Sequence, residues 1–380
     1  MDRIAPALLL LTSTLLCGVS PTRAAPEVIG HIEEVARFDG PMPTGVTVAP
    51  NGRIFVNYPR WGDDVPFTVA ELRNGKAMPY PDASTNRPDD KRPAETLLSV
   101  QSVVVDARNR LWILDTAAPA FRTRVSGGAK LVAVDLATDR VVRTIVLPDD
   151  VALPTTYLND VRFDLRDGEG VAYITDSSVS GPGGLIVVDL ATGQARRRLS
   201  GHASTSPDPN FVAVVEGHEM KSRPAGGPDK PFRVASDGIA LSADGATLYY
   251  CPLSSRHLYA IPTRHLRSPE ISEADLAAKV VDLGEKGASD GLEADDRGRV
   301  YAGDYEHNAV RRLEQGTWKT IAQNPEILWP DTFSIGTDRY LYFTANQLHR
   351  QAGFHGGIDL RRKPYHLYRI RIDAGPVQLK

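Results

Sequence analysis

The chain has 380 residues, and its 44 lysines and arginines against 47 aspartates and glutamates leave a net charge of −3. That balance gives no footing for nucleic acid or an anionic membrane as partner. Its two cysteines exclude a disulfide-built scaffold, and a chain of this length buries enough apolar surface to fold without one.

In chain order, the first segment is MDRIAPALLLLTSTLLCGVSPTRA, residues 1–24. Arg3 near its start, an apolar stretch through Leu16 and small residues around Ala24 read as a secretory signal peptide. The stretch is too short for a spanning helix, and Thr14 and Leu16 fit a lipoprotein signal at Cys17 poorly. The expectation is cleavage near Ala24, a secreted or periplasmic location, and no stable membrane insertion. Residues 25–380 then form one domain, with Cys251 as a lone thiol in a strand-like run.

VIGHIEEVARF (28–38) is the next strand candidate. Six segments of one design follow: a lead residue, a short apolar strand, a tight turn and a second strand. They are TGVTVAPNGRIFVNY from Thr44, QSVVVDARNRLWILD from Gln101, NDVRFDLRDGEGVAYITD from Asn159, DGIALSADGATLYYC from Asp237, DGLEADDRGRVYAGD from Asp290 and DTFSIGTDRYLYFTAN from Asp331. Asp237 precedes the turn glycine Gly245 by the same eight residues that separate Asp290 from Gly298. KLVAVDLATDRVVRTIVL (130–147) and GLIVVDLATGQARRRL (184–199) add outer strand pairs around matching DLAT turns, and 309–322 and 366–373 do the same later. One helix is expected over 268–281, capped by Ser272. The insertions at 79–95 and 202–232, rich in Pro, Asp and Ser, read as loops over one face. Four strands per unit and six units make an all-β, six-bladed β-propeller around a central channel, with 28–38 closing the ring against the last blade.

In such a ring the lead residues of all six inner strands gather at one mouth. They are Thr44, Gln101, Asn159 with Asp160, Asp237, Asp290 and Asp331. Carboxylates converging on one axis repel unless a cation sits among them, and hard oxygen donors suit Ca²⁺, Mg²⁺ or Mn²⁺. Asp before Gly is also ordinary turn chemistry. The repeat of ASDG in register favours a shared site. Trp61, Trp329 and Phe333 are candidate aromatic walls at the mouth. The histidines show no zinc spacing, and there is no nucleophile elbow or phosphate loop.

PTGVTVAPNGRIFVNYPRW, LWILDT, TYLNDVRFD, SDGIALSADGATLYYCPLSS, YEHNAVRR and PDTFSIG…LYFTANQLHR resemble, in order, the major royal jelly protein/Yellow family. The resemblance implies a secreted six-bladed propeller, linked in insects to dopachrome conversion or amine binding in the channel. It implies ligand contacts at Asn346 and His349. A more distant similarity to the SMP-30/gluconolactonase group implies a divalent metal, Ca²⁺ with Mg²⁺ or Mn²⁺ as alternatives, on Asn159, Asp237 and Asp290, with Asp160 beside them. Asp290 or Asp237 would then act as the acid/base. That group has a glutamate where this chain has Thr44, a departure that weakens the lactonase reading. The expected partner is a small-molecule substrate or ligand bound near Thr44, Gln101, Asp331, Phe333, Asn346 and His349. Two functions stay open: an enzyme acting on a small cyclic molecule, by lactone hydrolysis or a dopachrome-type tautomerisation, and a non-catalytic binder of an aromatic amine. Oligomeric state is left open.

Overall fold

The computed structural model describes Met1 and residues 28–380; the rest of the expected leader and its expected cleavage point near Ala24 lie outside the described residues. Six four-stranded antiparallel sheets make the six expected blades. Blade 1 consists of Val46–Val48, Ile54–Asn57, Val69–Arg73 and Lys76–Pro79, and blade 2 of Val100–Val105, Arg110–Asp115, Lys130–Asp135 and Arg140–Val146. Blade 3 holds Leu158–Asp164, Val171–Asp176, Gly184–Asp189 and Ala195–Arg198, and blade 4 Ser236–Leu241, Thr247–Pro252, His257–Pro262 and Val281–Glu285. Blade 5 holds Leu292–Ala294, Val300–Asp304, Ala309–Glu314 and Thr317–Gln323. Blade 6 is Pro330–Ile335, Tyr340–Ala345 and Tyr365–Arg371, completed by Glu33–Phe38 from the other end of the chain. That last strand pairs antiparallel with Tyr365–Arg371, from Glu33 opposite Arg369 to Phe38 opposite Tyr365, and closes the ring.

The burial gradient across a blade explains its sequence. Inner strands such as Ser236–Leu241 and Leu158–Asp164 are buried along their whole length, because both faces meet neighbouring blades or the axis. The outer strand Arg140–Val146 is mostly exposed and carries the polar alternation. The first turn of the blades carries a residue at positive φ, among them Gly52, Asn109, Gly245 and Gly298, which is why Gly or Asn recurs there. The DLAT turns are closed by their aspartates: Asp135 Oδ1 accepts from Ala137 N at 2.7 Å, and Asp189 Oδ1 from Thr192 N at 2.7 Å. Asp115 and Asp176, ending second strands, accept backbone N–H groups from the start of their own inner strands and pair with Lys130 and Arg197, each at 2.7 Å.

The expected helix shortens to Glu273–Ala277, with the Ser272 hydroxyl accepting from Asp275 N at 3.1 Å; a second short helix, Thr263–Arg267, was not legible. No helix among the described residues is long and apolar enough to cross a membrane.

Ring closure by Glu33–Phe38 generates a stability prediction. Phe38 and Ala36 are buried there, and burying one Phe is worth about 2–3 kcal/mol. A chain starting at Asp39 should unfold in urea with at least about 2 kcal/mol less stability than one starting at Val28; equal midpoints would show that the closing strand contributes nothing.

Candidate functional site

The lead residues do not sit at the regular beginning of their strands. In blades 2, 3, 4 and 6 the register between the inner and second strands slips at that point: Val100 faces Asp115 but Ser102 faces Leu114, and Ser236 faces Pro252 but Ile239 faces Tyr250. Blades 3 and 6 slip between Leu158 and Val161 and between Pro330 and Phe333. Gln101, Asn159–Asp160, Asp237–Gly238 and Asp331–Thr332 therefore occupy β-bulges, which bend the strand and re-aim side chains. The glycines of the two DG pairs have a separate cause. A Cβ on Gly238 would clash with the Asp290 carbonyl oxygen, and one on Gly291 with that of Asp331, because successive blades meet there backbone to backbone.

Four lead residues, Gln101, Asn159, Asp237 and Asp290, line one cavity of about 660 Å³ at the mouth. Its floor is Asn159, Asp237 and Asp290. Asn159 Nδ2 donates to Asp237 Oδ1 at 2.6 Å, Ser177 Oγ donates to Asp237 Oδ2 at 2.8 Å, and Trp329 Nε1 donates to Asp290 Oδ2 at 2.7 Å. Each carboxyl also shifts the proton affinity of the other, so the two titrate as a pair. Burial, and then the Asp290 charge, push Asp237 well above the usual carboxylate range. Burial pushes Asp290 up to about 6, against the pull of its bonds from Asp237 and Trp329. The proton accordingly rests on Asp237, and Asp290 ionises first.

The walls are aromatic. Trp61 stacks on Phe121 with centroids 5.0 Å apart, and Phe121 on Tyr157 at 4.5 Å. Phe232 and Phe354 meet edge to face at 5.7 Å and also line the cavity. At the rim Arg361 is clamped by both Asp63 oxygens, at 2.7 and 3.0 Å, and by Asp359 at 2.7 Å. The segment 202–232 is more than loop filler. It forms two small hairpins, Val214–Val215 with His218–Glu219 and Lys221–Ser222 with Lys230–Pro231, and buries Phe211, Val215, Met220 and Phe232 in the mouth-side core.

The remaining expected site residues lie elsewhere. Thr44 is fully buried, and its hydroxyl accepts from Asn57 Nδ2 at 2.8 Å. Asp160 turns below the floor and accepts from Ser102 Oγ at 2.7 Å and from the Arg162 guanidinium at 3.0 Å, so a cationic side chain already holds it. Asp331, raised by burial and by the Asp290 charge, accepts from Asn346 Nδ2 at 2.6 Å; neither residue lines the cavity. His349 is buried, stacked on Trp329 and bonded to Glu216 at 2.9 Å, where it fastens the 202–232 segment. Phe333 packs on Phe343 at 5.7 Å and borders a smaller cavity of about 100 Å³ at the opposite end of the channel, because the bulge before it turns it off the mouth. Trp329 donates to Asp290 from beneath the floor and does not line the cavity as a wall. Tyr157, Phe121, Ser177 and Phe232 are the site residues that sequence reasoning missed. Only Tyr157, two positions before Asn159, stood close enough to a lead residue to be found.

Among the described residues no group of three or more His, Cys, Asp or Glu is placed to hold a metal ion. The donor set on the floor is two carboxyls and one amide.

Residues 98–374 match the family described as major royal jelly protein. Protein yellow of Drosophila erecta is 30% identical over 259 residues, covering 65% of this chain and 45% of that protein. Protein yellow of Drosophila melanogaster is 29% identical over the same length, with the same coverage. The chain thus matches less than half the length of these curated relatives. Among solved structures, a luciferin-regenerating enzyme aligns with TM-score 0.55 at 12% identity, over 92% of this chain and 99% of that one. The calcium-binding protein regucalcin of Agrobacterium tumefaciens aligns with 0.53 at 15%, over 91% and 96%, and a gluconolactonase of Xanthomonas campestris with 0.51 at 12%, over 92% and 98%. At these identities the likeness carries the fold alone.

The raised carboxyls predict a pH dependence with a definite sign. An unfolded aspartate titrates near about 3.9, so the folded pair binds protons more tightly than the unfolded chain. Its contribution to stability is therefore full at low pH and is lost as pH rises from about 4 to about 6. In EDTA, the stability difference between Asp290→Asn and wild type should grow in favour of the variant across that window, by on the order of 2 kcal/mol. A difference that stays flat with pH would show that the pair does not share a proton.

Proposed function

Because the chain belongs to the major royal jelly protein family, and because a carboxyl pair that titrates together floors its mouth cavity, we propose that it captures a small flat cyclic molecule there and shifts a proton on it. Asp290 is the base and Asp237 the proton-holding acid. The observation that carries this reading is the pair itself. Two carboxyls, with no arginine or lysine among the described residues bonded to either, are held by Asn159, Ser177 and Trp329 at different proton affinities. A base that ionises near neutral pH beside a neutral acid is the arrangement general acid–base catalysis requires, and such groups contribute typically 10²–10⁴-fold in rate. The stacked rings of Trp61, Phe121 and Tyr157 supply a flat face for the substrate, and water leaves the cavity as it enters.

The floor also fits a hard divalent cation. Asn159, Asp237 and Asp290 would hold it by oxygens, Ca²⁺ first with Mg²⁺ or Mn²⁺ as alternatives, since the carboxyls carry no ion pair and open onto the cavity. Such an ion would supply polarisation of a substrate oxygen. Thr44, spent on Asn57 and away from the floor, adds no charged fourth ligand to the two carboxyls and the amide, which favours a proton shift over metal-driven lactone hydrolysis. The second reading, a carrier for an aromatic amine, is favoured by aromatic walls above carboxyls, a pairing that attracts organic cations. The leader-like residues 1–24 support export, so the site works outside the cytoplasm.

A panel of lactones, dopachrome and biogenic amines, offered with and without EDTA, tests the reading. A ring-proton shift should appear and fall at least about 100-fold in Asp290→Asn while ligand binding persists. Tight binding without turnover of anything offered would establish the carrier. For the cation, Ca²⁺ at about a hundred times its Kd should add about 2.7 kcal/mol to wild-type stability. Asp237→Asn and Asp290→Asn should each lose most of that gain; a wild-type melting curve indifferent to Ca²⁺, Mg²⁺ and Mn²⁺ removes the metal from the account.

A further inference from the structure

One side of the mouth cavity carries a directed hydrogen-bond chain. An indole N–H can only donate, and Trp61 Nε1 donates to the Tyr157 oxygen at 2.6 Å. The Tyr157 hydroxyl in turn donates to Gln101 Oε1, 3.0 Å away. That pairing turns the nitrogen of the Gln101 amide away from Tyr157. Its oxygen is taken by Tyr157, and its Nε2 makes no hydrogen bond to any described residue. Nor is Nε2 among the sealed, unpartnered buried atoms, so it is open to the cavity that Gln101 lines. The rest of Gln101 has no freedom to turn away: it is 6% exposed, it sits in the blade 2 bulge, and its carbonyl accepts from Asn57 Nδ2 at 3.0 Å.

The cavity thus makes two opposite demands. The floor carboxyls accept, whereas Gln101 donates. We propose that Gln101, oriented by Trp61 and Tyr157, is the specificity-determining residue of the site. It selects flat rings that carry an acceptor oxygen, a carbonyl or an ionised hydroxyl, at the edge facing Gln101 and a donatable proton at the edge facing Asp290. This inference rests on the reading of the cavity as a site for a flat cyclic molecule. A ring with an amino group in place of the acceptor oxygen would set donor against donor and leave the Gln101 amide unsatisfied in a confined space.

Two probes of one shape separate the alternatives: 7-hydroxychromone, whose carbonyl accepts, and 5-amino-2-naphthol, which places an amino group at the corresponding position. Binding is read by calorimetry and by quenching of tryptophan fluorescence. Wild type should favour the chromone by about tenfold, the worth of one good hydrogen bond. Gln101→Glu should reverse the preference, because Tyr157 still donates to one oxygen of the new carboxylate and the other accepts. Tyr157→Phe, which keeps the ring stack, should bring the ratio towards one, because the amide is then free to turn. Equal binding of both probes to wild type, or a ratio unmoved by Gln101→Glu in a variant that melts like wild type, overturns the specificity role alone. Failure of wild type to bind either probe overturns it together with the reading of the cavity.

Discussion

Carboxyl groups brought to one axis must be neutralised, and that constraint organises the centre of this molecule. Six inner strands converge because the ring closes, so their leading side chains are crowded whatever their chemistry. Three aspartates are placed there without an ion pair, and a fourth, Asp160, is matched to Arg162. The three unmatched ones, Asp237, Asp290 and Asp331, are the ones whose proton affinity rises, with burial as the leading cause in each. Burial raises both Asp237 and Asp290, Asp237 the more strongly, and the proposed acid–base role rests on that inequality. A divalent cation in the same place would do the neutralising instead, so proton and metal compete for one function of the floor.

In four of the six blades the local geometry behind this crowding is the bulge at the head of the inner strand. A regular strand would alternate its side chains strictly between the two faces of the blade. The slipped register lets Gln101, Asn159 and Asp237 reach the cavity, and it also withdraws Phe333 from the mouth. The glycine after the aspartate serves the ring itself. Gly291 N donates to the Asp331 carbonyl at 2.8 Å, and no side chain fits between them. The repeated DG pair therefore has two causes in adjacent residues, packing for the glycine and charge for the aspartate.

These two causes also mark where sequence reasoning reached and where it stopped. Blade number, strand pairs, the DLAT turns and the closing strand were legible because each leaves a local pattern: alternation, a positive-φ residue at a fixed distance, an Asx turn. The lead positions were legible because the pattern repeats in register. What separated Asp237 and Asp290 from Asp160 and Asp331 was not legible, since it depends on which way each carboxyl emerges and on its partner: Arg162, two residues along the same strand, for Asp160, and Asn346, beyond the second strand, for Asp331. The aromatic walls were hidden for a similar reason. Phe121 and Phe232 come from connections between or before strands, where no periodicity points inward, and they meet Trp61 and Phe354 only through the closed ring.

The central claim is that a proton held on Asp237 lets Asp290 ionise alone. Infrared difference spectroscopy tests it most directly, comparing metal-free wild type with Asp237→Asn at a pH near 6.5, where ordinary aspartates are ionised. The account predicts a protonated-carboxyl C=O stretch in wild type that is missing from the variant and disappears from wild type when Ca²⁺ is bound. The absence of any such Asp237-dependent band would contradict it.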